Sequence, residues 1–457
     1  MHKLDTRRTN SYRRNLMILA VISAVAASCV GDPGPAIQLA GKWQVRVMPQ
    51  EVRAGGRRVT IDEAVTFRVD PAPIVRVRDE RYDKLPLFNA QGPEWAKGFR
   101  IFGVRNAEIT EPGLLDAGSL RVKSGPGNAA AYVLGKDYQL DGKWGQFGRL
   151  EGGSIPENGS IWLDYDHGIG RVDSIFVDAS GKVTLRKGKP VVSIPVPPEA
   201  KAGEKRLANI WVEGRLPALK QDSLYPVIEE SYPVPKHEGP PPAAALLPKT
   251  WAKLQSGQKV TIIAWGDSVT AGGNTSDDAH RYQHQFLDLL RKRFPKADIQ
   301  LTTVAWGGRT SDNFLNEPPG SQYNFKEKVL DARADLIVME FVNDAWMKPE
   351  DVRKKYAYLQ ERFEEVGSEW VILTPHFVKP DWMGKDTPRL NTDPRPYVAG
   401  LRQFAWEKKV ALADASLRWG HLLQEGIPYP TLLANSINHP DDRGHQLFAL
   451  SLMELFQ

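Results

Sequence analysis

One cysteine, Cys29, serves 457 residues, so no intramolecular disulfide can form and the fold has to be held by packing. The formal charge is only +5, with neither a dense Lys/Arg run nor an interleaving of aromatic and basic residues, which argues against a nucleic-acid partner. No internal repeat recurs. The apolar run over 16–27 is too short to cross a bilayer core of ~30 Å comfortably. What is present is a 41% hydrophobic chain, long enough for sizeable cores and for two or three domains.

The amino terminus carries Arg7-Arg8 and Arg13-Arg14 ahead of that run, which ends in Ala26-Ala27-Ser28-Cys29. Basic residues, a short apolar stretch and small residues make an export signal over 1–29. The small residues before Cys29 resemble a bacterial lipobox, with Ala26 where Leu is usual, and imply an acylated Cys29 and anchorage to a membrane. The expected location is the periplasm or cell surface, as an outer-membrane lipoprotein. Plain cleavage after Ala26 is the competing reading. Arg13-Arg14-Asn15-Leu16-Met17 leaves Sec and twin-arginine export both open.

From 41 onward, short alternating runs are broken by Gly, Pro, Asp and Asn. This is an all-β pattern, with strands expected over 64–69, 160–165, 174–177, 182–186 and 208–212 in a sandwich-like domain spanning 35–234. The polar stretch 165–173, which includes His167, reads as a turn held by Asp side chains, since no second His or Cys stands at metal-ligand spacing. Proline then becomes dense, in Pro233-Val234-Pro235 and Gly239-Pro240-Pro241-Pro242. Such a stretch reads as a stiff, extended linker over 235–250.

The remainder, 251–457, alternates apolar runs at 299–304, 335–340, 370–374 and 410–413 with helical stretches at 282–294, 352–364 and 396–408. Strands alternating with helices specify a parallel sheet covered on both faces, a three-layer α/β/α arrangement with sites at the carboxyl ends of the strands. The first run, over 259–266, is apolar and β-branched and stops at Gly266-Asp267-Ser268-Val269-Thr270, which delivers a serine to a strand end beside flexible glycines. Gly308-Arg309-Thr310-Ser311, Asn343-Asp344, and His439-Pro440 followed by Gly444-His445 come after it in order.

Together these four blocks resemble those of the SGNH (GDSL-type) hydrolase family, and the flavodoxin-like fold of that family is what the resemblance implies for 251–457. It implies Ser268 as nucleophile and His439 as general base. The backbone N–H groups of Ser268 and Gly308 and the side-chain amide of Asn343 are the implied oxyanion donors. The chemistry suits these residues, because the donors have to point already at the charge that develops on the carbonyl oxygen, and a glycine brings bare N–H close to a ligand. His445 is the rival base, and His376 follows a strand where it could meet substrate.

Two positions depart from the family pattern. Ser436 stands three residues before His439, where Asp is usual, and Phe341 replaces a Gly two residues before Asn343. The orientation of His439 is left to Asn435, to Ser436, to backbone carbonyls or to a carboxylate from elsewhere in the fold. Without such a carboxylate the base is expected to titrate no higher than the ~6.5 of a free histidine. The resulting expectation is an exported serine esterase that removes acetyl groups from a carbohydrate, with no cofactor and no metal. Trp265, Trp306, Trp346 and Trp382 lie near strand ends where rings could stack on sugar. Alternatives are a lipase, lysophospholipase or thioesterase of the same family, or a surface binding protein with a degenerate hydrolase domain.

Overall fold

The computed structural model describes residues 36–236 and 238–457; the expected export segment and Cys29 lie outside the described residues. From Ile37 to Pro226 the chain forms antiparallel sheets. Ser160–Gly168 pairs with Ile74–Asp83 and Arg121–Lys123. Its alternation buries Ile161, Leu163 and Tyr165 against Tyr82 and Val122 on one face. Arg171–Val177 belongs to a second sheet with Val183–Arg186, Lys205–Val212 and Leu224–Pro226, and is buried throughout because strands and core cover it on both sides.

The polar stretch 165–173 is the corner between these sheets. A Cβ at Gly168 would stand 2.4 Å from the Gly214 carbonyl oxygen, so only glycine passes there. Asp173 steadies the corner by accepting from the Arg171 guanidinium at 2.8 Å and from the Gly188 N–H at 2.8 Å.

The proline-rich stretch differs from the expected extended linker. Pro242–Leu246 and Pro248–Ser256 are helices, each with proline in its first turn, and Ala243 and Leu247 are buried in the core that follows. The fixed φ that reads as stiffness in sequence also suits the first helical position, where proline's missing N–H leaves nothing unsatisfied.

The second half is a five-stranded parallel sheet. Its strands are β1 (Lys259–Gly266), β2 (Asp298–Ala305), β3 (Leu336–Glu340), β4 (Glu369–Leu373) and β5 (Ala411–Ala413), ordered β2-β1-β3-β4-β5. Alternate residues of β1 feed two cores. Val260 and Ile262 pack with helices α1 (Tyr282–Arg293) and α4 (Asp442–Met453), whereas Ile263 and Trp265 pack with α2 (Pro349–Val366) and α3 (Pro396–Lys408). Burial on both faces is why 262–265 of β1 form an unbroken apolar run, each large side chain in it contributing about 1.5–3 kcal/mol.

The β-rich half is docked on this sheet by specific contacts. Ile109 and Trp144 share a small core with Ile437, Asn209 donates to the Gly426 carbonyl at 2.7 Å, and Glu94 pairs with Lys379 at 3.0 Å.

Candidate active site

Strand β1 ends at a glycine for a steric reason: a Cβ on Gly266 would meet Thr270 Oγ1 at 2.1 Å and the Glu340 carbonyl oxygen at 2.3 Å. The chain then turns tightly, with Ala271 N–H donating to the Asp267 carbonyl and Gly273 N–H to that of Ser268. Ser268 is thereby set at the carboxyl edge of β1, an interior strand of the sheet.

Two buried carboxylates tie three strand-end loops together. Asp267 accepts from the Val269 N–H at 3.0 Å and from the Asn343 N–H at 2.9 Å. Asp344 accepts from the Ser311 N–H at 3.1 Å and its hydroxyl at 2.5 Å. Burial pushes both carboxyls up, and the charge of Asp344 pushes Asp267 further. Glu340, fully buried beside them, is pushed up as well, first by burial and then by Asp267. The two N–H donors favour the ionised form of Asp267, so within this buried pair the proton belongs on Glu340.

The Gly308 loop lies beside the serine, since a Cβ on Gly307 would stand 3.8 Å from Ser268 Cβ. Gly308 has φ +71° and open space where a side chain would be. The Asn343 amide donates to the Arg309 carbonyl at 3.3 Å, a long bond that a better acceptor can replace.

His439 approaches from the segment before α4, its ring passing the bare face of Gly273. A Cβ there would meet the ring at 3.0 Å and the Ser268 carbonyl oxygen at 3.1 Å. Nδ1 faces two acceptors, Asn274 Oδ1 at 2.7 Å and Glu108 Oε1 at 3.0 Å. Two acceptors at Nδ1 require the proton to be there, which leaves the lone pair of the neutral ring on Nε2, where a general base needs it.

Thus Ser268, Gly308, Asn343 and His439 meet in one place. Neither neutral residue expected to orient the imidazole contacts its ring. Ser436 has φ +59°, which turns its side chain toward the β-rich half, where it accepts from Asn106 Nδ2 at 2.7 Å and donates to Glu111. Asn435 Oδ1 accepts the N–H groups of Ile437, Asn438 and His439, and its Nδ2 donates to Glu108 at 2.9 Å.

The residues that do touch the ring, Asn274 and Glu108, escape sequence reasoning. Asn274 directly follows Gly272-Gly273 and its proximity to the serine block is a usable signal; nothing in the sequence links Glu108 to a histidine in the other half.

The rival histidines are buried. His445 accepts from the Tyr282 N–H at 3.2 Å, and burial brings its pKa down to about 3. His376 is driven well below the usual range by burial and then by Arg395. Both are neutral near pH 7 and packed against aromatic rings. Of the four tryptophans, Trp265 is wholly core. Trp306 stacks on Tyr323 at 4.2 Å. Trp346 is 60% exposed, and Trp382, 43% exposed, meets Trp95 of the β-rich half at 5.5 Å. No cluster of three or more His, Cys, Asp or Glu suited to a metal occurs among the described residues.

Residues 264–447 match the family model described as the GDSL-like Lipase/Acylhydrolase family. Among solved structures, a two-domain esterase (CEX) active on acetylated mannans aligns with TM-score 0.38 and 17% identity, over 47% of this chain and 52% of that one. The alignment therefore spans about half the length of that esterase. A member of the lipolytic G-D-S-L family from Veillonella parvula DSM 2008 aligns with TM-score 0.34 and 18% identity, over 43% of this chain and 98% of that one. The lipase/acylhydrolase from Enterococcus faecalis gives 0.31 and 17%, over 43% and 95%. No curated protein sequence matches the chain.

Proposed function

Because the C-terminal half carries a GDSL-like lipase/acylhydrolase domain, we propose that the protein is an exported serine esterase in which Ser268 attacks an ester carbonyl and His439 takes its proton. The N–H groups of Ser268 and Gly308 and the Asn343 amide receive the developing oxyanion. His439 then returns the proton to the leaving alcohol, and water releases the acyl group by the same route. The observation that carries this reading is the double acceptor at His439 Nδ1, which leaves Nε2 as the basic atom.

The substrate we propose is an acetylated saccharide. Support comes from the exposed rings of Trp346, three residues from Asn343, and of Trp382, since flat aromatic faces suit sugar faces. A fluorophosphonate probe should label the protein at Ser268 and fail to label Ser268→Ala. A chain-length series of p-nitrophenyl esters followed by acetylated polysaccharides tests the acyl group: preference for long chains would replace the saccharide reading with a lipase, and no labelling would leave a binding protein. Export and acylation at Cys29 belong to the same proposal, and Cys29→Ala should move the protein from membrane to soluble fractions of its native host.

A further inference from the structure

The hydrogen bonds of His439 lead out of the hydrolase half. Glu108, 3.0 Å from Nδ1, occupies the two-residue tip of the hairpin made by Arg105–Asn106 and Ile109–Thr110. We infer that Glu108 is the carboxylate partner of the base: it holds the imidazole in its Nδ1–H form and stabilises the imidazolium formed when Nε2 takes the Ser268 proton, so that the active site is complete only where the β-rich half docks. No proton passes to Glu108; the Nδ1–H bond stays intact throughout. The inference rests on the reading of Ser268 and His439 as nucleophile and base.

The tip is anchored on both sides. Asn106 is buried and donates to Glu111 at 3.0 Å and to Ser436 Oγ at 2.7 Å. Ile109 packs with Trp144 and Ile437, two residues before His439. The carboxylate itself is held by a second donor, Asn435 Nδ2, on the same oxygen that faces the ring.

Burial alone would raise the Glu108 pKa, but the hydrogen bond and charge of His439, with Asn435, outweigh it and bring it to about 2. Glu108 is therefore ionised wherever an esterase works. The position that would hold the acid in the resembling family holds Ser436, which docks the hairpin that brings an acid in. Other titratable groups that act on this pair are Asp267 and Arg100, with His376 and His445, both kept neutral by burial. Asp267 is engaged by two backbone donors in another loop, which leaves Glu108 as the carboxylate at the ring.

The test uses the full chain with a p-nitrophenyl ester. Where a triad Asp is replaced by Asn, the imidazole takes the wrong tautomer and kcat falls about 10⁴-fold. Here Asn274 still accepts the Nδ1 proton, so Glu108→Gln should remove only the charge: kcat down about 100-fold, KM little changed, and the acid limb of kcat/KM moved to lower pH. Formate should restore part of the activity of Glu108→Ala by refilling the space with a carboxylate.

Parental kcat and an unmoved acid limb in Glu108→Gln, while Ser268→Ala is inactive, would overturn the inference and leave the nucleophile reading standing. A loss that comes with a lowered Tm, no change of pH profile and no rescue by formate would make Glu108 a structural prop, which also overturns it. Full activity in both Ser268→Ala and His439→Ala would instead remove the reading on which it rests.

Discussion

At the scale of residues, a nucleophile and its base are expected to act as one unit. Ser268→Ala and His439→Ala should each lower kcat by several orders of magnitude, and the double variant should lose little more. Purified variants assayed on one ester check this, and additive losses would separate the two residues. Ser436 offers a sharper contrast. From the sequence, aspartate at this position looks like a repair of the family pattern. In the fold its side chain faces Glu111 and Asn106 instead of the imidazole. Burial pushes the Glu111 carboxyl up, so Ser436→Asp puts a second carboxyl beside one that already resists ionising. A cost of about 2 kcal/mol is expected, read as a lower Tm and a smaller kcat, and a gain in activity would contradict the docking role assigned to Ser436.

At the scale of elements, β1 and its turn decide where the serine stands. The strand is legible because the stretch of it covered on both faces, 262–265, has to be apolar. The helices are legible because their apolar residues recur at helical spacing. The turn is legible only in part. Gly266, Gly272 and Gly273 announce a sharp bend, yet the sequence does not say that Gly266 is confined by Thr270 and Glu340 or that Gly273 makes room for His439. Gly266→Ala should therefore cost about 3 kcal/mol by overpacking, measured by urea denaturation. An unchanged midpoint would mean that the turn relaxes freely. The proline-rich helices were illegible for the opposite reason, since their burial depends on a sheet that comes later in the chain.

At the scale of the molecule, the joint between the halves carries its own pH dependence. Glu94 of the β-rich half is held down to about 2, first by its hydrogen bond with Lys379 and then by Trp144. A depressed carboxylate contributes stability that is present above its unfolded pKa of about 4.3 and is lost as pH falls toward 2. The parent should thus lose more stability between about pH 4.5 and pH 2 than Glu94→Gln does, in thermal scans at a series of pH values. Parallel curves would show that the ion pair contributes nothing to docking, as many partly exposed pairs do.

The sequence by itself determined the five parallel strands of the second half and the three helices between them, the β-rich character of the first half, and the four blocks of the candidate site, because each is written in local spacing: alternation, helical period, and short motifs at strand ends. Only the tertiary structure decided what faces His439. Asn435 and Ser436 are its neighbours along the chain, yet the Asn435 side chain is taken up by backbone N–H groups and by Glu108, and the backbone at Ser436 turns its side chain toward the β-rich half. Glu108 is 327 residues from Asn435, and the two meet because burying Ile109, Trp144 and Ile437 together docks one half on the other. Apolar burial of that kind depends on which surfaces fit, a property of folded shapes that no window of sequence contains.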